Sequence, residues 1–315
     1  MFSSLVFWSS VSGAVFLVAG LVLIRKEMAA ASGLDKVILL GYTFVAAPLA
    51  IFGTEHLLSS RAIMQLVPSW IPAPLFWTYF VGIGLFAAAA SFVARKQLRW
   101  SALLLAIMFF IFVLTMDIPG VIQQPKERLS WTLMLRETAF GGGALALAGW
   151  ARQENARLSK ALIAIGRICV AVALIFYSIE HFIFARNAPG VPLEKMTPNW
   201  VPVPQLWAYA VGIVLLVAGA AMLFNQRTQL AATWVGTVMA LITLFLYFPI
   251  YLQELRTPLA LEGLNYVGDT LLFGGIALFV AIAVTPSRRQ AGGTLTEFPD
   301  LPSPDVRSDV RVAQR

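Results

Sequence analysis

The stretch VPSWIPAPLFWTYFVGIGL, residues 67–85, returns as TPNWVPVPQLWAYAVGIVL at 197–215, with ten of nineteen positions identical. The shared residues are Pro68/Pro198, Trp70/Trp200, Pro72/Pro202, Pro74/Pro204, Trp77/Trp207, Tyr79/Tyr209, Val81/Val211, Gly82/Gly212, Ile83/Ile213 and Leu85/Leu215. Three prolines within seven residues cannot continue a helix, because each fixes φ and lacks an N–H donor. Directly after them comes an apolar run of bilayer length. The pattern is therefore a stiff loop feeding a membrane helix, present twice. Upstream, Glu55-His56 and Arg61 match Glu180-His181 and Arg186, and these are the only two histidines of the chain. Downstream, Pro119 and Gln123 match Pro249 and Gln253. Glu137-Thr138 with Gly142-Gly143 align with Asp269-Thr270 and Gly274-Gly275, given insertions of five and two residues in loops. Self-similarity on this scale reads as an internal repeat.

Composition agrees with a membrane setting. Of 315 residues, 59% are hydrophobic and 12% charged, with a mean hydropathy of +0.78. Soluble domains carry about 25% charged residues, so lipid must be the main solvent here. The single cysteine, Cys169, excludes an intrachain disulfide and a thiol-rich metal site. The net charge of +7 sits in short loops, which fits membrane orientation rather than nucleic acid. Nine apolar runs appear, near 2–24, 37–58, 75–94, 101–119, 131–150, 161–184, 205–224, 230–250 and 265–285. The first lacks a basic n-region and is followed by Arg25-Lys26-Glu27, so it reads as a retained helix and not a signal peptide. The expected fold is an all-α polytopic membrane protein: two parallel-repeat four-helix bundles plus one extra N-terminal helix. Its parts are 1–36 (first helix and loop), 37–150 and 151–285 (the two units) and 286–315, a Pro- and Gly-rich disordered tail. Basic residues number twelve in one set of loops and six in the other. In a bacterial inner membrane this puts the N-terminus outside and the C-terminus in the cytoplasm.

That topology collects the repeated polar residues at one level, the outer mouth of each bundle. Glu55, His56, Glu180 and His181 are the candidates for proton exchange, since histidine alone titrates near neutrality without perturbation. The competing reading is an ordinary polar pair at a helix end, tolerated near the interface. Candidate ligand contacts are Trp70, Trp77, Tyr79, Asp117, Arg136 and Glu137 in the first unit, and Trp200, Trp207, Tyr209 and Asp269 in the second. The aromatic residues among them also suit interfacial anchoring. The proline-rich loop is expected to hold Trp70 or Trp200 pointing down between helices. Arg136 is expected to pair with Glu55 or Asp117 on another helix, with Gly268 standing in its place in the second unit. One histidine and a few carboxylates per bundle make no metal site.

The helix-end Glu-His pair, the Pro-x-Trp-x-Pro-x-Pro-type loop and the helix start Trp-x-Tyr-x-x-Gly-Ile resemble the DoxX-like family of small bacterial membrane proteins. That family usually forms a single four-helix unit, so this chain departs from it in being doubled and in carrying an extra first helix. Some members are subunits of a thiosulfate:quinone oxidoreductase and others accompany redox-stress complexes. The resemblance therefore implies an accessory role in a quinone- or thiol-linked redox system, with the bilayer and redox subunits as partners. Any catalysis would belong to such an assembly. No haem, flavin or iron–sulfur motif is evident, so quinone is the one cofactor the resemblance brings. The alternatives are a structural or assembly module, a small-solute transporter, and an enzyme using Glu-His as acid and base on a lipid-like substrate. The transporter is disfavoured by the nearly apolar inner halves of the helices.

Overall fold

In the computed structural model, which describes residues 4–152 and 154–285, each of the nine apolar runs falls, over its described residues, on a long helix, to within a residue at either end. These are α1 (Ser4–Ala30), α2 (Asp35–Leu58), α3 (Pro74–Ala94), α4 (Leu98–Gln123), α5 (Arg128–Ala151), α6 (Ala156–Ile183), α7 (Pro204–Leu223), α8 (Thr228–Glu254) and α9 (Ala260–Val284). All but α5 are apolar enough by composition to cross a membrane, eight in total among the described residues. Helix α5 carries Arg128, Arg136 and Glu137, which lowers its hydropathy. Its 24 residues still rise about 36 Å, a bilayer's depth. The tail expected over 286–315 lies outside the described residues.

Local chemistry sets the same breaks in both halves. Ala73 and Val203 turn the chain left-handed at φ 55° and 46°, and Pro74 or Pro204 then opens the next helix. Proline suits that first position because its missing N–H would find no partner there anyway. Helices α4 and α8 each contain one wide π turn, at Val113–Asp117 and Thr243–Tyr247. Pro119 and Pro249 come two residues after each turn ends. A proline ring clashes with the carbonyl four residues back, and an extra residue in the turn accommodates it.

Packing departs from two bundles lying side by side. Helix α2 packs extensively on α3 and on α9, while α6 packs on α7 and on α5. Helices α5 and α9 meet at the centre, and α4 and α8 lean on them respectively. Each four-helix set is thus closed by the last helix of the other. Helix α1 lies against α2 through small residues: an added Cβ on Gly13 would meet Ile51 at 2.6 Å, and one on Gly20 would meet Thr43 at 2.5 Å.

Three successive glycines of α5 face three different helices. A Cβ on Gly141 would meet Phe110 of α4 at 3.2 Å, and one on Gly142 would meet Cys169 of α6 at 2.6 Å. One on Gly143 would strike Ile276 of α9. Helix α9 repeats this arrangement with Gly274 against Met239 of α8 at 2.8 Å and Gly275 against Val45 of α2 at 2.8 Å. The spatial match therefore pairs Gly141 with Gly274 and Gly142 with Gly275. This corrects the sequence-based match by one residue, because close approach, not likeness of acidic side chains, decides the register. Arg136 then corresponds to Asp269, and Glu137 to Thr270.

Gly143→Ala should destabilise the protein by about 1–3 kcal/mol through overpacking, since its Cβ would sit 2.6 Å from the Ile276 carbonyl oxygen. Gly84→Ala meets nothing within 4 Å and removes a helix glycine, so it should be neutral or gain up to about 1 kcal/mol. Thermal unfolding in detergent measures both, and a Gly143 variant melting at or above the parent would contradict the close α5–α9 approach.

Candidate functional site

Arg136 and Asp269 stand at matching positions of the two central helices and bond one another, Nη1 to Oδ2 at 2.7 Å. The expected partners of Arg136, Glu55 and Asp117, do not bond it; Asp269 does, because α9 packs on α5. Glu137 adds a longer contact at 3.5 Å, and the Arg136 Nε has no hydrogen-bond partner. The pair lines a cavity of about 220 Å³. Phe52 and His56 come from α2, Leu85 from α3, and Met108, Phe109 and Phe112 from α4. Helix α5 adds Arg136, Glu137 and Phe140, and α9 adds Asn265, Asp269 and Leu272.

This cavity has apolar walls and one polar end. Glu55 is buried within hydrogen-bonding reach of Asn265 and close enough to Asp269 to feel its charge. Asp117, the last residue of the π turn in α4, lies beside Glu137. Two neighbouring carboxyls can bond one another only if one carries a proton. Glu55 Oε1, Asp117 Oδ2, Glu137 Oε2 and Asn265 Oδ1 are all buried without a hydrogen-bond partner. Four carboxyls thus surround one guanidinium and one imidazole. In an apolar interior that excess of negative charge calls for protons or for a donor from outside the chain. Among the described residues no group of three or more His, Cys, Asp or Glu side chains is placed to hold a metal.

The second half takes the same scaffold to a different end. Its loop between α6 and α7 is five residues longer than the one between α2 and α3, and the extra chain folds inward. Ala188, Val191 and Leu193 are completely buried, as is His181. The His181 Nε2 accepts the Gly190 N–H at 3.1 Å. Gly190 needs its lack of side chain, with φ at 144° and a Cβ position 2.5 Å from the Tyr247 ring. Thr270 Oγ1 donates to the Val191 carbonyl at 2.9 Å, and Tyr247 Oη donates to that of Ala188 at 3.0 Å. Arg128 clamps the loop from α5, bonding Glu180 at 2.8 Å, Glu194 at 2.5 Å and the Leu193 carbonyl at 3.0 Å. Burial pushes the Glu194 carboxyl up from the usual range, against the pull of the Arg128 guanidinium. Lys195 ties the loop to Glu254 and Glu262 at 2.7 and 3.1 Å. Where the first half has a cavity, the second has a bonded peptide.

Of the expected site residues, His56, Arg136, Glu137 and Asp269 converge on the first-half cavity, with Glu55 and Asp117 beside it. Glu180 and His181 are engaged by the loop. The aromatic candidates do not wall either site. Trp70 is 69% exposed and Trp200 46%, and Trp77, Tyr79, Trp207 and Tyr209 also face outward. The indoles of Trp77 and Trp207 instead donate to the Pro72 and Pro202 carbonyls at 3.1 and 3.0 Å, pinning each loop to its helix. Tyr79 accepts from Ser60 at 3.0 Å. The rings lining the cavity are Phe52, Phe109, Phe112 and Phe140, which sequence reading missed; only the repetition of the Glu-His pair, four residues past Phe52, pointed near them. Asn265 carried no signal, since it belongs to the other half of the chain.

Comparison with known proteins finds that residues 162–248, spanning α6 to the start of the last segment of α8, match the DoxX family model. No curated protein and no solved structure matches the chain.

Exchanging the two charges tests the central pair. Arg136→Asp alone leaves like charges buried together and should cost about 3–5 kcal/mol. Combined with Asp269→Arg, most of that loss should return, because both side chains keep the same opposing positions. Melting curves of the single and double variants measure this; a double variant no better than the single would mean the pair does not tie α5 to α9.

Proposed function

For this multi-pass membrane protein of the DoxX type, we propose that the first-half cavity receives the ring of a quinone. The chain then acts as an accessory subunit of a quinone- or thiol-linked redox system. The single observation that carries this reading is the cavity itself, a ring-sized space of about 220 Å³ with phenylalanine walls and an acid–guanidinium end. Phe52, Phe109, Phe112 and Phe140 would hold the ring, as aromatic side chains commonly do in small-molecule sites. The Arg136 guanidinium would donate to a ring oxygen. Reduction of a quinone takes up two electrons and two protons. The electrons would come from a partner subunit or thiol donor, and the protons from the carboxyl groups around Arg136.

Glu180 and His181 have a different part in this reading. With the histidine ring bonded and the carboxyl clamped by Arg128, they hold the inserted loop and not a ligand. The basic-residue excess supports placing the cavity at the outer face of a bacterial cytoplasmic membrane, with the N-terminus outside. The shared π turns, left-handed caps and indole–proline bonds support an origin by head-to-tail copying of one four-helix unit. A second reading, an assembly module without ligand, is favoured by one observation: two partly buried ion pairs, Arg136–Asp269 and Arg128–Glu180, join helices across the two halves.

A short-chain benzoquinone at a hundredfold excess over its dissociation constant should stabilise the detergent-solubilised protein by roughly 2.7 kcal/mol, a rise of a few degrees in Tm. Phe112→Ala, in the cavity wall, should diminish the rise and His181→Ala should leave it, even if either lowers the starting Tm. An unchanged Tm at saturating quinone would favour the assembly module. Sidedness is checked by cysteine substitution in a Cys169→Ser background. Trp70→Cys and Trp200→Cys should both react with an impermeant maleimide added outside intact cells, and labelling from opposite faces would overturn the topology.

A further inference from the structure

The peptide seated in the second half indicates what the first-half cavity accepts, given that the cavity is a ligand site as proposed above. His56 and His181 are fixed in the same way. Each Nδ1 bonds the carbonyl four residues back, Phe52 at 2.8 Å and Tyr177 at 2.6 Å. A carbonyl can only accept, so Nδ1 carries the hydrogen and the neutral ring offers a lone pair at Nε2. In the second half this lone pair receives the Gly190 N–H. In the first half His56 lines the cavity, and among the described residues its Nε2 bonds no protein group. The neighbouring positions correspond too. Thr270, which bonds both the N–H and the carbonyl of Val191, is replaced by Glu137, and Tyr247 by Asp117. The seated peptide therefore presents a donor to the histidine, while its adjacent acceptors meet hydroxyl groups.

We infer that the first-half cavity selects a ring bearing a hydroxyl that donates to His56 Nε2, a phenol-type group, over a ring offering only a carbonyl or ether oxygen there. Glu137 and Asp117, with their unpartnered oxygens, receive or supply the remaining hydrogen bond. For a quinone couple, this makes the reduced, hydroxyl-bearing form the one held more tightly. The histidine is then the specificity determinant and the guanidinium the common anchor.

The chain's two histidines allow a direct test, because ¹⁵N-histidine labelling yields one imidazole signal set for each. The probes are 4-methylphenol and 4-methylanisole, nearly equal in shape and differing in the donor. The phenol should bind about five- to tenfold more tightly, the usual worth of one buried hydrogen bond. It should move the Nε2 resonance of His56 and leave that of His181 in place, while the ether moves neither. His56→Ala should bring the two affinities together. Equal affinities in the parent, or a shift confined to His181, would overturn the inference. So would benzoquinone binding as tightly as the phenol with His56 undisturbed, although the quinone reading would then survive. Failure of every ring compound to bind would overturn both. Should His56→Ala not fold, the spectra of the parent protein decide.

Discussion

The contact between Arg136 and Asp269 is the constraint on which the remaining architecture turns. A guanidinium and a carboxylate at membrane depth are costly unless they are paired, and here each is the other's closest partner. Aspartate is short, so it reaches only if the two helix backbones run close together. Gly143 against Ile276 provides that closeness, about two turns along the same helices. Once α5 and α9 are drawn together at the centre, α6 finds its largest partner in the opposite half and α2 packs there almost as extensively as on α3. The interleaving is a consequence of the tie.

A shared scaffold then permits two outcomes. In the first half a shorter loop leaves the space between Phe52, Phe109 and Phe140 as a cavity. In the second, five additional residues enter that space. Buried peptide groups must be hydrogen-bonded, and each such demand has an answer nearby. His181 takes an N–H, Thr270 and Tyr247 satisfy carbonyls, and Arg128 neutralises the acids beside them. Asp117 and Glu137 in the first half correspond to Tyr247 and Thr270, which hold a fixed hydrogen each. One mouth is filled by bonded peptide and the other keeps a cavity.

The residues around the first cavity were only partly legible in the sequence. His56, Arg136, Glu137 and Asp269 stood out because charge is rare in apolar runs and has to be explained. The tryptophans and tyrosines of the repeat stood out as strongly and meant something else, since a ring at a helix start can face lipid as easily as a cavity. Phe52, Phe109 and Phe112 were hidden among the chain's 22 phenylalanines. Which of these face inward depends on helix rotation, and a helix that is apolar all round carries no mark of it.

By itself, the sequence determined the membrane setting, the nine helical runs and the loops that break them. Hydropathy and proline act locally, so their consequences are readable without knowing what packs where. It also signalled that two stretches of the chain share one plan. Tertiary structure alone decided that the halves close one another, that Arg136 meets Asp269 and not Glu55 or Asp117, and that an inserted peptide fills one of the two mouths. These outcomes depend on which small residues let backbones approach, a relation between distant positions that no single segment contains.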